Sequence, residues 1–319
     1  MKKTLKNIGK FVFVILIILV LFLVGVFIYN KIMIKKEAPL REPLGQMVEI
    51  DGQYMSIYTE GEGEHTLVFM SGAGIPSPII DYKSVYSLLS DDYKIVVIEK
   101  FGYGYSDIVD GERTFDTILR QDREALAKAG INGPFILCPH SMSGLEAILW
   151  AQNYPDEVEA IVGLDMSVPQ GYSYDELKTT DDNSLNILLV LRESGILRLT
   201  LSDNSLPETY TEEDKKIYRA LACVKPGNKT VENEKLHIAG AIDMINSGTK
   251  PDVPMLMFIS DGSGGTGMET DTWRKYQREY ASGLTDVSII ELDCGHMIHH
   301  FEPEQISEDM RVFIEGLDD

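Results

Sequence analysis

Apolar positions along the chain follow three patterns. From Phe11 to Tyr29 there is no period at all. "FVFVILIILVLFLVGVFIY" is 19 residues with no charge and one glycine, long enough to cross a bilayer as a single helix. After residue 45 short apolar runs alternate with amphipathic stretches. "MVEIDGQYMSIYTEG" alternates about Asp51-Gly52, the pattern of a hairpin. "HTLVFMSGAG", "YKIVVIEKFGYGYSD", "PFILC", "VEAIVGLDMS", "VPMLMFIS" and "VSIIELD" predict buried strands. Between them "IIDYKSVYSLLSDD", "TFDTILRQDREALAKAG", "SGLEAILWAQNYP", "TDTWRKYQREYASG" and "PEQISEDMRVFIEGL" carry helical spacing. Strands alternating with helices predict an α/β fold, its parallel sheet covered on both faces. In the third pattern, between about residues 170 and 250, "SLNILLVLRESGILRLTL", "TEEDKKIYRALACV" and "TVENEKLHIAGAIDMIN" are all helical with no strand between them. A helical insertion is expected there.

The chain thus divides into a basic tail (1–10), a transmembrane anchor (11–29), a tether (30–45) and a folded domain (46–319). Lys2, Lys3, Lys6 and Lys10 precede the apolar run, and the following "NKIMIKKEAPL" offers no small-x-small cleavage site. This favours an uncleaved anchor over a cleaved signal peptide. The four leading lysines predict an inside N-terminus, with the domain outside the cell membrane. Residues 43–319 carry 21 basic and 48 acidic side chains, a net charge of −27. Such a surface argues against nucleic acid as a partner and against a face docking on anionic lipid. Cys138, Cys223 and Cys294 make no disulfide framework, and no cysteine pair has zinc-ligand spacing. No metal or other cofactor is expected.

The candidate chemistry lies in "FILCPHSMSGLEAILW", residues 135–150. A serine becomes a nucleophile when a base takes its proton and two donors receive the developing oxyanion. A tight strand-to-helix elbow with small residues two positions to either side exposes its oxygen. Ser141 holds that position, flanked by Pro139 and Ser143 rather than by two glycines. Upstream, "FMSGAG" ends a strand in a glycine turn that can aim the Ala73 N–H at the same point as the Met142 N–H. Downstream, "CGHMIHH" follows the last strand and offers His296 as general base. His299 and His300 are expected to support that loop, since the zinc-protease signature requires Glu after the first His and Met297 stands there.

In this order "SGAG", "IEKFGYGYSD", "CPHSMSG", "NYPDEVEAIVGLD" and "CGHMIHHFEPEQI" resemble the landmarks of the α/β-hydrolase fold superfamily. The likeness is greatest to its esterase and aminopeptidase-like members with a helical cap, and it covers about residues 46–317. It implies an eight-stranded, mostly parallel sheet, Ser141 as nucleophile, His296 as base, Ala73 and Met142 as oxyanion donors, and residues 170–250 as a cap over the site. Ser71 and Glu99 depart from the family pattern, as do Pro139 and Ser143. The family's acid follows the seventh strand, which points to Asp261, two residues short of the usual position at Ser263. Asp165, at the end of the sixth strand, is the alternative, with Asp271 behind both. The implied activity is hydrolysis of a small ester, amide or peptide through a Ser-His-Asp triad and an acyl-enzyme. A proline-type aminopeptidase or cofactor-free lyase on the same fold is the enzymatic alternative. A surface protein that binds without catalysis is the other.

Overall fold

A computed structural model describes residues 2–172, 183–202 and 206–317. Helix α1 (Lys2–Lys36) is followed by a 3-10 turn at Ala38–Arg41. The hairpin of β1 (Gln46–Ile50) and β2 (Gln53–Glu60) comes next. Its turn places Asp51 at φ +52° and Gly52 at φ +78°, the two left-handed residues that a type I′ turn requires. There follow β3 (Thr66–Met70), short α2 (Pro78–Asp81), α3 (Lys83–Leu89), β4 (Lys94–Glu99), α4 (Phe115–Lys128), β5 (Phe135–Ser141), α5 (Ser143–Asn153) and β6 (Val158–Met166).

The sheet has eight strands in the order β1-β2-β4-β3-β5-β6-β7-β8, where β7 is Met255–Ile259 and β8 is Val287–Glu291. It is antiparallel across β1–β2 and β2–β4 and parallel elsewhere. Alternate residues of the central strands feed two cores, because side chains on a strand point to opposite faces. Val68, Met70, Leu137 and Met257 pack on α4, α5 and the later helices α10 (Ile238–Ser247) and α11 (Thr270–Ala281); Leu67, Phe69, Ile136 and Phe258 pack on α3 and the last helix, α13 (Pro303–Glu315).

Between β6 and β7 the described helices are α6 (Asn183–Ser194), α7 (Ile196–Thr200), α8 (Glu212–Ala222), α9 (Lys229–Leu236) and α10 (Ile238–Ser247). Residues 173–182 and 203–205 of the expected insertion lie outside the described residues. One part of that stretch does not behave as a cap: Ile238, Ala241, Ile242 and Ile245 of α10 belong to the core beside α5. The remaining helices are α11 (Thr270–Ala281), α12 (Ile298–Phe301) and α13 (Pro303–Glu315).

At the N-terminus helix continues seven residues past the apolar run, to Lys36. Residues 11–25 are exposed throughout, whereas Val26 and Asn30 are buried against the α6–α7 junction. Asn30 Nδ2 donates to Arg192 O at 3.3 Å and Asn30 Oδ1 accepts from Arg198 Nε at 2.9 Å. Arg198 also reaches Glu37, and the 3-10 turn packs on α8. The expected tether is therefore structured and seated on the body.

Candidate active site at the β5–α5 elbow

β5 ends at Ser141 and α5 begins at Ser143, so the chain turns from strand to helix over a single residue. Ser141 takes φ +53° to make that turn, a left-handed conformation that a non-glycine residue holds only where its surroundings enforce it. From Phe135 to Ala151 every residue is buried except Ser141. Three features enforce the bend. Ser143 Oγ is buried; it accepts from His140 N at 3.0 Å and lies 2.7 Å from Met70 O, the end of β3. A Cβ on Gly72 would lie 2.8 Å from Ser141 Cβ, and one on Gly144 would lie 2.9 Å from Met166 Cβ. Both glycines are there because the neighbours leave no room for a side chain.

His296 lies in the loop after β8, 6% exposed. Its Nδ1 is 2.5 Å from Asp165 Oδ2. Asp165, at the end of β6, is fully buried at φ +50°. Its carboxylate accepts from Ser260 N (2.8 Å), Ser260 Oγ (2.6 Å) and Trp273 Nε1 (2.8 Å) as well. Such donors meet the hydrogen-bonding demand of a buried carboxyl group. The other face of His296 is closed by Gly265, where a Cβ would fall inside van der Waals contact of imidazole Cδ2. Trp273 stands edge-on to the ring at 6.0 Å, and the ring of His140, next to Ser141, lies 4.6 Å away. His140 Nε2 donates to His296 O at 3.1 Å, which fixes the loop from beneath.

The two sequence-derived acids are placed differently. Asp165 meets His296, while Asp261 is turned into its own loop, where its Oδ1 accepts from Ser263 N at 2.7 Å. Ser263, first through its side chain and then through this backbone N–H, holds the Asp261 carboxyl below its ordinary range. Asp271 is exposed in the first turn of α11. Ser260 and Trp273, which hold Asp165, had no sequence signal beyond an ordinary strand end and an ordinary helix.

Met142 lies buried at the start of α5, and Ala73 is exposed beside Gly72. The Ala73 loop is tied down by its neighbour: Gly74 N donates to Tyr103 Oη at 3.3 Å, and Tyr103 donates to Glu234 Oε2 of α9 at 2.7 Å. Glu234 pairs in turn with the buried Lys100 at 2.5 Å, which also reaches Glu146 of α5 at 3.4 Å. Burial alone would push the Lys100 ammonium down; the two glutamates outweigh it and hold it above the ordinary lysine range. The loop, the elbow helix and the insertion thus share one buried charge network.

His299 and His300 support the loop through Asp81, at 2.9 and 3.1 Å, with Tyr210 donating to Asp81 at 3.1 Å. Asp81, His299 and His300 offer ligand atoms within 4.8 Å of one another, close enough for a metal ion, and both imidazole Nε2 atoms already bond the carboxylate. Burial, then His300, lowers His299 to about 4, so it is neutral near pH 7. Cys294, two residues before His296, is raised by burial to about 11 and is no thiolate.

No protein-family model matches the chain. The uncharacterized protein YbdG of Bacillus subtilis (strain 168) is 37% identical over 313 residues, covering 95% of this chain and 96% of YbdG. Among solved structures, ALR0039 of Nostoc sp. PCC 7120, described as an α/β hydrolase, superposes with a TM-score of 0.64 at 17% identity, over 84% of this chain and 97% of that one. A serine hydrolase involved in carbazole degradation, the CarC enzyme, superposes with a TM-score of 0.58 at 14% identity, over 86% and 99% of the two chains. The chain belongs to the family of YbdG, and its fold is the α/β-hydrolase fold.

Proposed function

We propose that the protein is a membrane-anchored serine hydrolase acting on a small ester or amide through Ser141, His296 and Asp165. The observation that carries this reading is the 2.5 Å contact of His296 Nδ1 with Asp165 Oδ2, beside an elbow whose one accessible residue is Ser141. Asp165 takes the role first expected of Asp261. It accepts the Nδ1–H of His296 and so leaves Nε2 free to take the Ser141 proton. The Ser141 oxygen attacks the substrate carbonyl, and the Met142 and Ala73 amides receive the oxyanion. The amine or alcohol leaves with the proton held on His296. Water, activated by the same imidazole, then releases the acyl group. Helix α1 is long and apolar enough to span a membrane, and in this reading it holds the domain on the outer surface.

A fluorophosphonate probe tests the reading on the full chain in membranes. Wild type should be labelled and Ser141→Ala should not. Asp165→Asn should slow labelling by about 10³–10⁴-fold, whereas Asp261→Asn should leave the rate within a factor of about 3. An unlabelled wild type beside a labelled control hydrolase would leave a binding protein as the better account. Equal losses in the two Asp variants would remove Asp165 from its role.

A further inference from the structure

Helices α6 and α7 meet at Gly195, which takes φ +83°. They clasp the last buried turns of α1 there: a Cβ on Gly195 would lie 2.5 Å from Asn30 Cβ and 3.0 Å from Val26 O. Val26 is three residues before the end of the apolar run, roughly 4.5 Å along a helix at 1.5 Å per residue. The α6–α7 junction therefore touches α1 at the depth where a spanning helix passes from hydrocarbon to headgroups. From this junction α6 and α7 run on with large apolar side chains exposed: Ile187 is 60%, Val190 62% and Leu199 52% exposed. Ile187 and Val190 are one turn apart on the same helical face. Leu188, on the far side of α6, lines a cleft with Gly74 and Ile75 of the loop that carries Ala73. Charged groups at the junction are paired, Lys31 with Glu193 at 3.1 Å and Arg198 with Glu37 at 2.7 Å.

From this we propose that α6 and α7 form a second membrane contact: they lie on the bilayer from which α1 emerges, with Ile187, Val190 and Leu199 in the acyl–headgroup boundary. The proposal rests on the reading of α1 as a membrane anchor. Apolar side chains projecting from a partly buried helix at the interfacial depth are covered by lipid, as in interfacial amphipathic helices. The contact is hydrophobic rather than electrostatic, which agrees with an acidic domain. It also sets the cleft beside Gly74 within one helix width of the lipid surface.

Quenching by brominated acyl chains tests this without any assay of activity. Full chains carrying Ile187→Trp or Val190→Trp are placed in phosphatidylcholine vesicles, and wild-type emission from the buried Trp150 and Trp273 is subtracted. Phe22→Trp in α1 reports the anchor, and Val312→Trp, 67% exposed on α13, reports the water-facing side. Both α6 variants should lose at least half as much emission as Phe22→Trp, and Val312→Trp should lose none. If Phe22→Trp is quenched while both α6 variants behave as Val312→Trp does, the surface proposal is wrong and the anchor stands. If Phe22→Trp is not quenched, the anchor reading fails and takes the proposal with it.

Discussion

Ser143 stands where the family pattern has glycine, and its hydroxyl explains the exchange. It ties the elbow to the end of β3 through Met70 O and to His140 N, bonds that a glycine could not make. The small size the position needs is kept. The choice between Asp165 and Asp261 was not legible in the sequence, for a physical reason. Asp261 is captured by a donor two residues away, as short acidic side chains commonly are. Asp165 depends on Ser260, Trp273 and His296, which reach it from three distant segments. Local spacing cannot reveal such a gathering. Glu99 gives a prediction at this scale. Burial pushes its carboxyl up to about 7 although Tyr105 N donates to it. A raised carboxyl pKa means that the folded state holds the proton more tightly. The stability it lends is complete below pH 4.5 and is lost between pH 4.5 and 7; above that, the buried charge costs about 3 kcal/mol. Glu99→Gln should therefore raise Tm by several degrees at pH 8.5 and hardly at pH 5. An equal change at both pH values in thermal melts would sink the argument.

At the scale of elements, strands and flanking helices were readable because each carries its own period, and Asp51-Gly52 declared its hairpin. The insertion was readable as helix but not as to where each helix packs. α10 shares the apolar spacing of its neighbours, yet lies against α5 in the core. Whether a helix belongs to a cap or to a sheet layer depends on what it faces. The loop "SDGSGGTG", residues 260–267, follows β7 and carries no apolar period of its own. In the structure it closes over His296 through Gly265 and through Ser263 O, which accepts from His296 N at 2.8 Å. Gly265→Ala would force either the loop or the imidazole to shift. A displacement of about 1 Å at a catalytic group costs on the order of 100-fold. Fluorophosphonate labelling should slow by that order, with Tm within two or three degrees of wild type. Labelling at the wild-type rate would show that the loop does not position His296.

For the molecule as a whole, the apolar run marks a helix long enough to span a membrane, but nothing in the run itself marks the helix as built into the body. The buried positions of α1 begin at Val26 and continue at Asn30, one turn later. Because residues 11–25 are exposed throughout, only contacts from distant α6 and α7 could mark this boundary. Asn30→Ala in the full chain removes the acceptor for Arg198 Nε and the donor to Arg192 O. Loss of buried hydrogen bonds of this kind costs about 1–3 kcal/mol. Limited proteolysis should then cut within residues 183–202 faster than in wild type. Unchanged cleavage there would mean that the junction contributes little.

That junction also decides what the protein can reach. A domain on a flexible leash samples a hemisphere of space and can meet substrates on an opposing surface or in solution at many angles. Here the last turns of α1 are clamped between Gly195 and the Arg198–Glu37 pair, so the helix acts as a rigid post with a fixed heading. With α1 set in a bilayer, the mouth at Ser141 keeps one height and one azimuth above its own membrane. On the proposed function, an enzyme held this way would work in cis, on molecules that share or approach its leaflet, and neighbouring membranes would lie beyond its arc.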